Sequence, residues 1–196
     1  MHPYSINSRE HKQISLYISI ISILLAWALY LFSKNIFSLP WWIESPSVIG
    51  FYGLLYKLFE VKLWQNEHIR KIFRIKTPII DGNWSGSITS HSEHANGPIP
   101  INKFCIKQTW DNVSIYLETE TSKSYSFEAS MNVDEFGAAT IHYQYINEPK
   151  DNASETMHTH RGSASAKLDA EGLLRVEYYS GRDRNNTGSF EVRKLQ

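Results

Sequence analysis

With one cysteine in 196 residues, Cys105, the chain has no internal disulfide to tie it to an oxidising compartment. Catalytic signatures are missing as well: there is no G-x-S-x-G and no glycine-rich phosphate loop. The strand carboxylates Glu118, Glu128 and Glu191 fall at positions expected to face outward. No cysteine accompanies His91, Glu93 and His94, or the H-x-H of His158 and His160, so these read as surface histidines rather than zinc ligands. The expectation is a protein without catalysis, metal or cofactor. The most informative absence is of charge. Residues 13–33, QISLYISIISILLAWALYLFS, carry none.

As a helix rising about 1.5 Å per residue, that run spans roughly 30 Å, the thickness of a bilayer's hydrocarbon core. Ala26-Trp27-Ala28 imitates a signal cleavage site, and cleavage there would export the second half. The apolar run continues through Phe32, however, past the roughly 7–15 residues of a signal core, and the reading is a retained anchor. Ser15, Ser19, Ser22, Ala26 and Ser33 share one helix face, where small side chains let another helix approach. A second block, residues 39–59, is interrupted by Glu44 and Lys57. Ser45-Pro46 reads as an N-cap and first turn, from which one helix runs to Thr77, with Gly50 and Gly53 one turn apart as a packing face.

Overall neutrality hides an asymmetry: residues 1–80 are basic and residues 81–196 acidic. Arg9 and Lys12 precede the first span, and Lys57, Lys62, Arg70, Lys71, Arg74 and Lys76 follow the start of the second. The positive-inside rule therefore puts both termini in the cytoplasm of a multi-pass protein. The segment HIRKIFRIK interleaves isoleucine and phenylalanine with its cations. It reads as a juxtamembrane helix at anionic headgroups, not as a surface for a nucleic-acid polymer.

After Pro78 the pattern becomes period two. Segments 83–90, 101–110, 113–120, 124–133, 139–147, 157–168, 173–180 and 187–194 alternate, separated by turns such as Asn96-Gly97-Pro98 and Asp169-Ala170-Glu171-Gly172. The expected fold is an N-terminal transmembrane α-hairpin, residues 1–77 with the basic juxtamembrane helix, followed by an all-β domain. That domain, residues 78–196, is expected to be a cytoplasmic eight-stranded antiparallel up-and-down β-barrel, lipocalin-like. Taking the more apolar set as inward gives β-positions such as Trp84, Phe104, Tyr125, Phe127, Ala129, Met131, Ile141 and Val176.

Within that lining, Trp110, Tyr143, Tyr145, Tyr178 and His160 fall toward strand ends. Aromatic faces beside donors suit a planar base, and Arg161, Arg182 and Arg184 suit phosphates at the mouth. The alternative is a membrane-anchored, lipocalin-like carrier of a lipid or other apolar molecule.

The strand opening Asp81-Gly82-Asn83-Trp84-Ser85-Gly86, placed after two spans and a basic connector, resembles the CD-NTase-associated protein 15 family of bacterial anti-phage effectors. The resemblance implies a non-enzymatic CBASS effector of the bacterial inner membrane. Its barrel would bind a cyclic dinucleotide made by a CD-NTase. Its spans would then assemble as a homo-oligomer and disrupt the bilayer, giving growth arrest or abortive infection.

Overall fold

A computed structural model describes residues 1–7, 9–36, 41–90, 97–134, 138–154, 157–169, 171–181 and 186–195, with the backbone alone at 34–36, 41–47 and 90. It divides into two compact units. Ser8–Ile75 is helical, and Met1–Asn7 joins Lys76–Gln196 in a β unit. The first seven residues thus belong with the sheet.

In the helical unit, α1 (Glu10–Ile36) packs against α2 (Trp41–Val61). Among the described residues one helix, Glu10–Ser33, is long and apolar enough to cross a bilayer, and most of its large apolar side chains face outward. The α1 stripe divides: Ser22 and Ser33 are buried, while Ser15, Ser19 and Ala26 are half-buried. The Ser19, Ser22 and Ser33 hydroxyls donate to backbone carbonyls of their own helix, at 2.7–2.9 Å. Gly50 and Gly53 are exposed and a Cβ on either would meet nothing within 4 Å, so α1 does not use this glycine face.

Two expectations fail here. The second helix begins at Trp41, ahead of Ser45-Pro46. It also does not continue to Thr77. After Val61 come a short 3-10 turn and α3 (Glu67–Phe73), because extended Asn66 accepts hydrogen bonds from the His68 and Ile69 amides and starts a new helix. Left-handed Arg74 (φ 52°) ends it.

All eight expected strand segments contain strands: β2 (Gly82–Ser90), β4 (Lys103–Gln108), β5 (Asn112–Glu118), β6 (Ser122–Val133), β7 (Ala139–Pro149), β8 (His160–Leu168), β9 (Leu173–Ser180) and β10 (Thr187–Lys194). Two further strands make the sheet ten-stranded rather than eight-stranded: β1 (His2–Ile6) and β3 (Ile99–Pro100). Because β10 pairs with both β9 and β2, the sheet closes on itself. The motif at the start of β2 explains that closure. Gly82 takes φ +138°, which a side chain rarely adopts, and a Cβ at Gly86 would collide with the Glu191 carbonyl of β10. Trp84 fills the interior between them and donates its indole N–H to the Ile80 carbonyl at 3.1 Å.

The closed sheet has two ends. One, the base, carries the turns β4–β5, β6–β7 and β8–β9; the other, the mouth, carries β5–β6, β7–β8 and β9–β10. At about 3.3 Å per residue the eleven-residue β7 separates them by roughly 35 Å.

β5 and β6 pair only near the mouth, from Tyr116↔Tyr125 to Glu118↔Lys123. Toward the base they part, and β1 fills the fork, antiparallel to β5 and parallel to β6. Ser126 marks the apex: its Oγ accepts the Ile115 amide at 2.9 Å and lies 2.7 Å from His2 Nε2. Gln108 locks the base. Its Oε1 accepts the Ile80 amide at 2.9 Å, and its Nε2 lies 3.2 Å from both the Pro78 carbonyl and the Tyr4 hydroxyl. Both connections to the helical unit therefore leave the sheet at the base.

A bulge at Phe127 overturns the expected lining of β6. The register shifts between Ser126 and Glu128, so Ser122, Ser124 and Ser126 point inward on one side of it and Ala129 and Met131 on the other. Tyr125 and Phe127 are consequently exposed. Their apolarity had suggested the opposite.

Candidate functional site

Inside the mouth lies a cavity of about 130 Å³. Tyr143, Tyr145 and Asn147 enter it from β7, His160 from β8, Tyr178 and Ser180 from β9, and Ser122 and Ser124 from β6. The tyrosines hold their places because the neighbouring strand is bare beneath them. A Cβ at Gly162 would overlap the Tyr145 ring, and one at Gly188 would overlap Tyr178. Tyr178 leans on Phe190 with ring centroids 6.4 Å apart, and Tyr143 on Tyr145 at 6.3 Å.

Polarity in the cavity comes from neutral groups. Burial, followed by proximity to Tyr145, pushes the Tyr143 hydroxyl well above its ordinary pKa; burial and Tyr178 do the same for Tyr145. Both stay protonated donors at physiological pH. Tyr145 donates to the Tyr179 carbonyl at 3.4 Å. His160 Nδ1 lies 3.0 Å from the His158 carbonyl, which can only accept, so Nδ1 is the donor in that bond. Asn147 Oδ1 is buried with no hydrogen-bond partner among the described residues. Asn147 Nδ2 reaches Ser122 Oγ only at 3.5 Å.

A larger concavity, about 700 Å³, lies on the outside of β6–β10. Glu128 and Glu177 line it, and among the described residues no lysine or arginine does. It therefore repels an anionic ligand, whereas among the described residues no carboxylate lines the mouth cavity. Volume favours the outer groove, since small-molecule sites run roughly 300–1,000 Å³. Charge decides for the mouth.

A family profile described as "Cap15, cyclic dinucleotide receptor domain" matches residues 75–194. The CD-NTase-associated protein 15 of Yersinia aleksiciae is 32% identical over 149 residues, covering 75% of this chain and 69% of that protein. The chain belongs to the Cap15 family. The receptor-domain match begins at the boundary between the two units, so the Cap15 region is the closed sheet without β1.

Among the residues expected to form a site, the Cap15 sheet brings Tyr143, Tyr145, His160 and Tyr178 together around one cavity. Trp110 is not among them. It is fully buried in the turn between β4 and β5, at the base. Arg161 follows His160 and so points to the other side of β8, where its guanidinium sits 5.5 Å from the Phe127 ring centre on the outer face. Arg182 and Arg184 lie outside the described residues, as do His91, Glu93 and His94. The chain on either side of the arginine loop is anchored at the cavity: Ser180 and Asn186 line it, and the Asn186 carbonyl accepts both the amide and the hydroxyl of Ser180.

Sequence reading missed Asn147, Ser122, Ser124, Ser180 and Asn186. The phase of β7 would have found Asn147, two residues beyond Tyr145. The β6 serines were hidden by the bulge. Among the described residues no group of three or more His, Cys, Asp or Glu is placed to hold a metal ion.

Proposed function

We propose that this chain is a non-enzymatic CBASS effector that binds a cyclic dinucleotide at the mouth of a closed β-barrel and responds by assembling in the bacterial inner membrane and disrupting it. The observation that carries the reading is the neutral, tyrosine-walled cavity with an unmatched Asn147 acceptor, inside a region matched by a cyclic dinucleotide receptor profile. One base enters between Tyr143, Tyr145 and Tyr178, Asn147 and His160 read its edge, and Arg182 and Arg184 meet the phosphates at the rim. A lipid carrier would need an open apolar bore. Here Phe104, Met131, Ile141 and Leu174 fill the interior beyond the cavity.

Topology supports a second crossing. β1 precedes α1 and the remaining strands follow α3, yet both belong to one closed sheet and hence to one side of any membrane. The chain between them must cross an even number of times. We assign the return to α2, 21 residues long, and the positive-inside reading of the flanking basic residues puts that common side in the cytoplasm.

Calorimetric titration of the complete chain in detergent with cyclic dinucleotides, and separately with a fatty acid, tests the reading. Heat with the fatty acid alone would sink it. Tyr178→Ala is expected to weaken cyclic dinucleotide binding by about 5- to 150-fold, the equivalent of roughly 1–3 kcal/mol of stacking, while circular dichroism stays unchanged. Replacing both Gly50 and Gly53 with leucine should leave the helical unit folded, since nothing lies within 4 Å of either, but should reduce ligand-driven toxicity in cells. Undiminished toxicity would assign that glycine face to lipid alone.

A further inference from the structure

The outer groove on β6–β10 has no role in the reading above, and its chemistry is specific. Glu128 and Glu177 project into it beside the hydroxyls of Ser163 and Ser165, and neither carboxylate pairs with a cation among the described residues. The residues behind it alternate in size across the strands: Ala129, Tyr143, Ala164, Tyr178 and Gly188. Among the described residues the groove has no lysine or arginine, and His142 is the one basic side chain in its lining.

Positive charge stands on the other side of the same unit. Lys103 and Lys107 point outward from β4; Lys103 sits 5.8 Å from the Tyr116 ring centre, and Lys107 has no ion-pair partner among the described residues. Around the closed sheet, β4 is four strands from β7 in one direction and four from β8 in the other. Lysines and groove are therefore diametrically opposed. Spacing matches as well. Lys103 and Lys107 are roughly 13 Å apart along the strand, and Glu128 and Glu177, three strands apart and two residues out of level, are roughly 15 Å apart.

We infer that the groove receives the β4 face of a second copy of this chain. The contact joins Lys103 and Lys107 of one copy to Glu128 and Glu177 of the next. It is head-to-tail, and because its two halves lie on opposite sides of the unit, it propagates as an open row instead of closing as a dimer. This deepens the proposed function, resting on assembly in the membrane plane and assigning the surface through which the sensors meet.

The test reverses charge on each half separately. Donor- and acceptor-labelled complete chains are placed in vesicles of phosphatidylethanolamine and phosphatidylglycerol, with and without cyclic di-GMP, cyclic di-AMP or cyclic GMP-AMP. Association is read by energy transfer. The Glu128→Lys/Glu177→Lys chain and the Lys103→Glu/Lys107→Glu chain each set like charges against one another, and each alone should associate at least about tenfold more weakly than the parent. Mixed together they should recover, since every contact in an alternating row again joins opposite charges.

Parent-like association of either variant alone, or a mixture no better than its components, would overturn the inference. So would a parent chain that associates under none of these conditions. Calorimetry on the same preparations separates that outcome from failed nucleotide recognition, because the surface variants leave the mouth intact and should bind as the parent does.

Discussion

Replacing Trp84 with alanine is expected to destabilise the β unit by about 3–5 kcal/mol, the cost of emptying a large, fully enclosed core position. The indole fills the centre of the closed sheet, next to the line where β2 meets β10. Its removal leaves a void among Phe104, Phe190 and Val192 that neighbouring glycine positions cannot collapse to fill. Trp84→Phe keeps much of the volume and loses the bond to the Ile80 carbonyl, so it should cost only about 1 kcal/mol beyond its smaller packing loss. Chemical denaturation of the complete chain, followed by far-ultraviolet circular dichroism, distinguishes the two. A Trp84→Ala chain as stable as the parent would show that the interior is not closed around this residue.

Gln108→Ala should come close to that magnitude by another route. The side chain is buried and joins three segments that are far apart in sequence: Tyr4 of β1, the connector at Pro78 and Ile80, and β4 itself. Truncation leaves the Ile80 amide and the Pro78 carbonyl without their partner. At roughly 1–3 kcal/mol for each of the two buried groups left unsatisfied, the loss is about 2–6 kcal/mol. The effect should also be local. Limited proteolysis is expected to cut near Asn7 faster in Gln108→Ala than in the parent, well before the rest of the sheet is digested. Equal cleavage rates would mean that β1 is held by its ladder alone.

Much of the sheet was legible because alternation over eight segments is a strong, redundant signal. The parts that were not legible depended on pairings that no local pattern encodes. His2–Ile6 contains a proline and is only five residues long, and it becomes a strand because β5 and β6 leave a fork to fill. The bulge at Phe127 inverts what hydrophobicity suggests, setting serines inside and aromatics outside. Trp110 is buried, but in the turn after β4 and outside the core cluster, and alternation identifies a face and not an end. Successive turns of a meander alternate ends, so counting turns would have put Trp110 at the base and Tyr145 at the mouth. The break at Asn66 was also visible in principle, since Asn-Glu ahead of an apolar-basic stretch is an N-cap signature.

The fork filled by β1 also constrains how the protein is made. His2–Ile6 leaves the ribosome before either helix of the hairpin, while the strands that receive it, β5 and β6, are synthesised more than a hundred residues later. For that interval Tyr4 has no interior to enter, and in the proposed two-crossing topology the strand must remain on the side where the sheet will form while the hairpin is inserted. Docking of β1 is thus a late, long-range step that can complete only if both ends of the hairpin are on the same side. A chain inserted with the wrong number of crossings would carry an open seam between β5 and β6, exposing unpaired strand edges to quality-control proteases.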